Sequence, residues 1–159
     1  MHAPIRTEFV TTDPEEGRAH VAQMYAGSRL KVCGSAEDFH LEQSRCDLGE
    51  VRLDVFENSM ATEYTVDPLD QVLVVRMLDR TMDIETEGTH RRLGPGDVAV
   101  LVQPDLGYTA FLDGARMQLI GFDLAFLEAL DGAEILRRLR YEKLTPEQAR
   151  PWVRTLDFV

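Results

Sequence analysis

The sequence predicts a mainly β domain, an antiparallel sandwich or small barrel with one helix before the strands and further helices after them. Short apolar segments separated by turn residues fill the middle of the chain, a helix start precedes them, and helical patterns follow them. At 159 residues, with 44% hydrophobic and 28% charged residues, the chain has the size and composition of one globular domain.

The first predicted element is a short helix. Asp13-Pro14-Glu15-Glu16 is a helix start, since Asp can cap, Pro suits the first helical position, and Glu favours the positive end of the helix dipole. An apolar stripe of Val21, Met24 and Tyr25 follows at helical spacing, and Gly27 is a natural stop.

About eight strands are expected next. The clearest segments alternate or run continuously apolar, at residues 51–55, 71–77, 82–87, 98–102, 108–112 and 117–122. Turn signals separate them, at residues 47–49, 67–68, 87–88, 94–97, 104–107 and 113–114. With no helix between them, these strands favour an antiparallel arrangement. Two cysteines, Cys33 and Cys46, do not have metal-binding spacing and are expected to be free, strand-embedded thiols.

Two helical segments close the chain. Residues 124–130 are apolar and end at Asp131-Gly132, and residues 133–139 can add a further turn. Thr145-Pro146-Glu147-Gln148 is a capping box, and the residues after it form one apolar helix face. No helix stop precedes Val159, so we expect a piece of a longer protein, with a sensor domain at residues 1–123 and a helical segment at 124–159.

The most informative motif is Leu-Gly-Pro-Gly-Asp-Val at residues 93–98. Proline sets the second position of a tight turn, glycine supplies the positive φ that a type II turn needs, and an apolar strand follows. The order of strand, glycine turn, strand, Pro-Gly-Asp turn and apolar strand resembles a cupin, a double-stranded β-helix. With residues 9–16, residues 25–30, Arg140-Tyr141 and a Trp152-containing helix, it resembles the N-terminal effector-binding domain of the AraC family of transcription regulators.

That resemblance implies a cytoplasmic sensor that binds a small organic effector, dimerises, or does both, while a separate C-terminal domain binds DNA. The net charge of −11 agrees, because residues 124–159 carry six basic and six acidic residues and the whole excess lies in residues 1–123. Such an acidic surface repels a phosphate backbone, so this chain itself is not expected to bind nucleic acid. No segment has the length of a membrane span or the pattern of a signal peptide.

An enzymatic cupin would need clustered imidazoles and a carboxylate for a metal. The histidines here, His2, His20, His40 and His90, are isolated in the sequence. We therefore expect neither a metal, nor a cofactor, nor an enzyme. A free-standing cupin enzyme and a barrel that dimerises without a ligand remain the alternatives.

Polar or aromatic residues within apolar strands are the candidates for ligand binding, because a buried polar group needs a partner. Arg76 could pair with a carboxylate ligand if it points inward, and faces solvent otherwise. Tyr108, Tyr64 and Gln118 are similar cases, with plain packing as the tyrosines' alternative. Phe56 completes the set, and core packing is its alternative too.

The last helix has two interpretations as well. Its apolar stripe, Ala149, Trp152, Val153 and Leu156, could fold back on the strands or pair with the same helix of a second chain. The family resemblance favours the second, a homodimer contact.

Overall fold

The computed structural model of the chain describes residues 3–25, 28–68, 71–101, 106–132 and 142–157. Several sequence-based expectations lie outside these residues: the helix stop at Gly27, the strand end at residues 102–104, the first half of the turn at residues 104–107, the helical turn at residues 133–139, and Arg140-Tyr141.

Ten strands and three helices make up this described part. The strands are β1 (Ile5–Thr11), β2 (Ser28–Val32), β3 (Leu41–Asp47), β4 (Val51–Val66), β5 (Gln71–Asp79), β6 (Met82–Thr86), β7 (Thr89–Leu93), β8 (Val98–Val100), β9 (Tyr108–Asp123) and β10 (Glu142–Lys143). The helices are α1 (Pro14–Met24), α2 (Leu124–Leu127) and α3 (Pro146–Leu156). A 3-10 turn spans Ala36–Asp38, and a π-helical turn spans Glu128–Gly132.

All strand pairs are antiparallel, in the order β1-β3-β4-β9-β5-β8-β10, with β2 added to β4 and β6 between β7 and β9. Within the described ranges no ladder closes this sheet into a barrel. The predicted fold class, a mainly β, cupin-like antiparallel domain with flanking helices, is confirmed; the sheet is open.

The long strands β4 and β9 each exchange partners halfway. The first half of β4 pairs with β3 and its second half with β2, while β9 pairs first with β6 and then with β5. A β-bulge between Asn58 and Ala61 lies at the exchange, opposite Gly114. Bulges bend strands and allow them to leave one layer for another. The turn predicted at Asp113-Gly114 is therefore wrong: the strand continues, and the glycine serves the corner.

The sheet buries apolar side chains on both faces. Along β5, Leu73, Val75 and Met77 enter a core enclosed by the strands and α1. Their neighbours Val72 and Val74 enter a second core beneath α3. Burial on both faces explains why residues 71–77 are continuously apolar rather than alternating.

The predicted helix starts are confirmed. Asp13 Oδ1 accepts a 2.8 Å hydrogen bond from the Glu15 amide at the start of α1. At the start of α3, Thr145 and Gln148 form both bonds of the capping box. β1, which precedes α1, was not predicted. The last helix, expected to run to the final residue, is described as far as Leu156.

The turn between β7 and β8 has its predicted geometry. Gly96 has φ +85°, the Asp97 amide donates to the Gly94 carbonyl at 3.0 Å, and Asp97 Oδ2 accepts from the Gly94 amide at 2.8 Å. Lys143 Nζ lies 2.7 Å from the same carboxylate. Partial burial acts to raise the pKa of Asp97, but these bonds hold that pKa below its usual value.

In the described part of the chain, no helix is both long and apolar enough to cross a membrane.

Candidate ligand cavity

An apolar cavity of about 60 Å³ lies inside the first core. Its wall comes from α1 and from strands β2, β4, β5, β6 and β9 together with the residue that follows β8. The lining side chains are almost all aliphatic, aromatic or thioether groups: Val21, Tyr25, Ser28, Phe56, Tyr64, Val66, Leu73, Met82, Leu101, Tyr108, Ala110, Leu112, Met117 and Leu119.

Strand pairing places one end of the cavity. Ser28 lies opposite Val66 in the β2–β4 ladder, and Val66 lies opposite Tyr108 in the β4–β9 ladder. Three lining residues thus stand side by side on neighbouring strands. Beside them, a Cβ placed on Gly107 would come within 2.7 Å of the Val66 carbonyl oxygen, so glycine permits this close approach of the two backbones.

Two tyrosine hydroxyls of the wall are hydrogen-bonded to other protein side chains. Tyr25 donates to Asp54 at 2.7 Å, and Tyr64 accepts from Asn58 Nδ2 at 3.1 Å. Burial raises the pKa of Tyr64 to about 12, although its bonds to Asn58 and Thr62 act in the opposite direction. Burial, and then the charge of Asp54, raises the pKa of Tyr25 well above its ordinary value. Both phenols are therefore held neutral.

Ser28 is the exceptional polar residue of the wall. It is only 4% exposed, and its hydroxyl oxygen is buried without a hydrogen-bond partner among the described residues. Its main-chain amide donates to the Tyr25 carbonyl at 2.9 Å. A buried hydroxyl without a partner loses its hydration without compensation, and such a group calls for an explanation.

Behind Tyr25, a buried ion pair fixes the wall to the sheet. Arg45 donates two bonds of 2.7 Å to the two carboxylate oxygens of Asp54. Burial acts to lower the pKa of Arg45, but the hydrogen bonds and the charge of Asp54 raise the pKa of Arg45 above its usual value. Gln43 Nε2 donates to the Tyr25 hydroxyl at 3.2 Å, and His20 Nε2 lies 2.5 Å from Gln43 Oε1. The network therefore links α1 with β3 and β4.

The structure divides the five predicted ligand-binding residues into two groups. Phe56, Tyr64 and Tyr108 all line the cavity, and the rings of Phe56 and Tyr64 meet edge to face at 6.1 Å. Arg76 and Gln118 lie on the other face of the sheet, toward α3. The condition for Arg76 to meet a ligand, an inward side chain, is not fulfilled.

Tyr25 and Ser28 belong to the wall but were not among the predicted residues. Tyr25 belongs to the predicted apolar stripe of α1, of which Val21 also lines the cavity. For Ser28 no local signal exists, since only its pairing with Val66 brings it there.

The apolar stripe of α3 folds back on the chain's own sheet. Ala149 and Leu156 are buried in the second core, and Trp152 and Val153 pack against it. The Trp152 ring meets Phe122 edge to face at 5.8 Å. The stripe proposed for a dimer contact is thus engaged within one chain.

The three histidines within the described residues, His20, His40 and His90, lie apart from one another. His20 stacks on Phe9 at 3.7 Å, while His40 and His90 lie beside single carboxylates, those of Glu42 and Asp83. Over the residues described, no three His, Cys, Asp or Glu side chains gather as metal ligands would. Cys46 is buried in β3, and Cys33 is exposed just after β2, so only one of the two lies within a strand.

Comparison with known structures shows where this fold occurs. The AraC-like transcriptional activator CuxR superposes with a TM-score of 0.79 at 19% sequence identity, covering 96% of this chain. This chain spans 59% of the length of that structure. Two cupins cover less: one from Shewanella frigidimarina has a TM-score of 0.46 at 14% identity, over 52% of this chain and 76% of its own. A conserved-barrel cupin from Salinispora arenicola has a TM-score of 0.46 at 11% identity, over 64% of this chain and 88% of its own.

No curated protein has a sequence that matches this chain. The profile of the AraC-binding-like domain family, in contrast, matches residues 18–159, from the second turn of α1 to the last residue. The match includes every described residue of the cavity wall and all of α3. The chain belongs to the AraC-binding-like domain family.

Proposed function

We propose that this chain is the effector-sensing domain of an AraC-type transcription regulator, and that its effector is a small organic molecule bound in the cavity. The observation that carries the proposal is the cavity itself: an apolar space within the core of a member of this family, with an unpaired buried hydroxyl in its wall. Apolar cavities with few polar groups are the usual form of small-molecule sites.

Strand β9 gives this site a route to the rest of the regulator. Met117 and Leu119 line the cavity, while the alternating residues Gln118 and Ile120 face α3. A ligand that displaces the first pair shifts a strand to which α3 is directly bonded. For such a shift to regulate, the ligand must bind one arrangement of strand and helix better than another.

The charge of the chain is consistent with effector sensing in this domain and DNA binding in another. At −11, with the excess in residues 1–123, the domain suits sensing rather than contact with DNA. We therefore assign DNA binding to a separate domain of the regulator. Membership of the AraC-binding-like family is the reason that we place the regulator in the cytoplasm.

Differential scanning fluorimetry against small alcohols, ketones, aromatic acids and sugars tests the proposal. A ligand at 100 times its Kd stabilises the folded state by about 2.7 kcal/mol, so at least one compound should raise Tm with concentration. Ala110→Val places two methyl groups in the cavity and should abolish that rise, whereas Ala125→Val, on the exposed side of α2, should preserve it. The proposal fails if no compound stabilises the domain, or if Ala110→Val responds like wild type.

A second candidate is a dimerisation module that has no ligand. It is favoured by the size of the cavity, since about 60 Å³ is well below the roughly 300 Å³ of ordinary small-molecule sites. Light scattering distinguishes the two: this candidate predicts a dimer with no response to any compound.

A further inference from the structure

We propose that the cavity selects a small uncharged molecule carrying one hydrogen-bonding oxygen, and that the Ser28 hydroxyl is the partner of that oxygen. This inference rests on the proposed function, because it names the class of effector for the same site. It excludes organic anions, the class that an inward Arg76 would have favoured.

The first argument is the charge of the wall. None of the described residues that line the cavity carries a charge at neutral pH. A carboxylate or ammonium group entering it would lose its hydration and gain no counter-charge, which is strongly unfavourable. Burial also disfavours a charge on the wall's own groups, since it raises the pKa of Tyr64 to about 12 and so keeps the phenol protonated.

The second argument concerns the ion pair behind Tyr25, whose charged groups are already paired with each other. Both carboxylate oxygens of Asp54 accept from Arg45, and Asp54 also accepts from Tyr25. The side chains of Arg45 and Asp54 are 12% and 4% exposed. Recruiting Arg45 for an anionic ligand would leave Asp54 buried without its partner, so the pair stabilises the wall and does not serve a ligand.

The third argument is Ser28. Tyr25 and Tyr64 have their hydroxyls bonded to protein groups, whereas the Ser28 hydroxyl has no partner in the described part of the chain. A hydroxyl can both donate and accept, so it suits an alcohol, a carbonyl or an ether. Pairing it with a ligand removes the cost of an unpaired buried group, and therefore adds selectivity for a molecule with one such oxygen.

The fourth argument is size. A cavity of about 60 Å³ is less than half of the roughly 150 Å³ that holds a benzene ring in an engineered protein core. A ligand of a few heavy atoms fits with small adjustments. Met82 and Met117 line the space, and their flexible thioether side chains are suited to making room for it.

Methionine-methyl NMR on the intact protein tests the charge selection directly. Three probes of similar size differ in charge: 1-butanol, butyrate and butylammonium. We expect 1-butanol to shift the methyl signals of Met82 and Met117 saturably, and the two ions to shift them at no less than tenfold higher concentration. The methyl of Met77, which is buried in the same core but does not line the cavity, serves as the internal control.

Ser28→Ala tests the role of the hydroxyl. It should raise the Kd for 1-butanol about three- to tenfold, which corresponds to the loss of one hydrogen bond. The Kd for small thioethers of similar size should stay unchanged. Because the hydroxyl has no protein partner, the variant should keep a Tm equal to or above that of wild type. Ser44→Ala, at a half-buried serine of β3 that does not line the cavity, is the matched control and should bind like wild type.

The outcomes separate this inference from the proposed function. If none of the probes moves the Met82 and Met117 signals, the cavity is not a binding site and the proposed function fails with it. If butyrate binds as well as 1-butanol, the cavity binds ligands but the selection of uncharged molecules is wrong. If Ser28→Ala binds 1-butanol like wild type, or lowers Tm, Ser28 is not the partner of the ligand oxygen.

Discussion

Gln118 donates a 3.2 Å hydrogen bond from its side-chain amide to the main-chain carbonyl oxygen of Leu156, in the last turn of α3. Arg76 Nη1 lies 3.3 Å from Gln118 Oε1 and 2.7 Å from the carboxylate of Asp157. The last carbonyls of a helix have no partners within it and carry partial negative charge, so an amide and a guanidinium are suitable donors there. The end of α3 is therefore bonded to β5 and β9 as well as packed on them.

The first prediction concerns this docking. Leu156 is 1% exposed, so Leu156→Ala should lower the free energy of unfolding by about 2–5 kcal/mol through lost burial and a new cavity. Urea denaturation measures it, with Trp152, the one tryptophan of the chain, as the fluorescent reporter. Arg150→Ala, on the exposed side of the same helix, should change stability by less than about 0.5 kcal/mol. Equal effects of the two variants would mean that α3 is not docked.

The second prediction concerns the Arg45–Asp54 pair. Asp54→Ala leaves Arg45 buried without a counter-charge and the Tyr25 hydroxyl without its acceptor, so the free energy of unfolding should fall by about 3–5 kcal/mol. The control is Asp83→Ala, which breaks an ion pair to the exposed Arg92 and should have a far smaller effect. Comparable losses in the two variants would show that burial does not set the importance of these pairs.

A third prediction follows from Tyr64, whose folded pKa of about 12 exceeds the ordinary value of 10.0. Below pH 10 the phenol is protonated in both states and its contribution to stability is complete. Between pH 10 and about 12 the unfolded chain loses the proton first, so stability falls as pH rises.

Urea titrations over that interval give the slope of the unfolding free energy against pH. Tyr64→Phe should make the slope shallower, because one titrating proton no longer contributes to it. Tyr25, whose pKa is also raised, continues to contribute. A slope identical to that of wild type would mean that Tyr64 is not buried as a neutral phenol.

The fourth prediction concerns the corner between the layers. Gly114 has φ +61°, and a Cβ there would lie 3.2 Å from the Ser59 carbonyl oxygen, whereas Gly88 has φ +73° with nothing within 4 Å. A left-handed conformation costs an alanine about 1–2 kcal/mol. Gly88→Ala should show this cost alone, and Gly114→Ala should exceed it because of the contact. Thermal unfolding of the two variants compares them, and equal losses would remove the contact from the explanation.

The sequence predicted the features that local chemistry determines. Asp13 and Thr145 are caps in any surroundings, and the turn at Gly96 needs only its own φ. The continuation of β9 through Gly114 could not be predicted, because an Asp-Gly pair on its own indicates a turn. Only the bulge in β4, which lies opposite it, explains why the strand continues. That pairing joins residues more than fifty positions apart.

The direction of Arg76 was unpredictable for a related reason. β5 is buried on both faces, so its apolar run gives no alternation from which to assign an inner side. The cavity wall was predicted in part: Phe56, Tyr64 and Tyr108 line it, and the aromatic character of the strands indicated them. Ser28 depends on the register of β2 against β4, which its neighbours in sequence do not determine.

The central claim is that occupation of the cavity is transmitted through β9 to α3. Recording the Met117 methyl and the Trp152 indole signals together by NMR during a titration with 1-butanol tests it most directly. We predict that both signals move with the same Kd, and that neither moves in Ala110→Val. A Met117 signal that saturates while the Trp152 signal stays fixed would contradict the claim, because the cavity would then be filled without any effect on the helix.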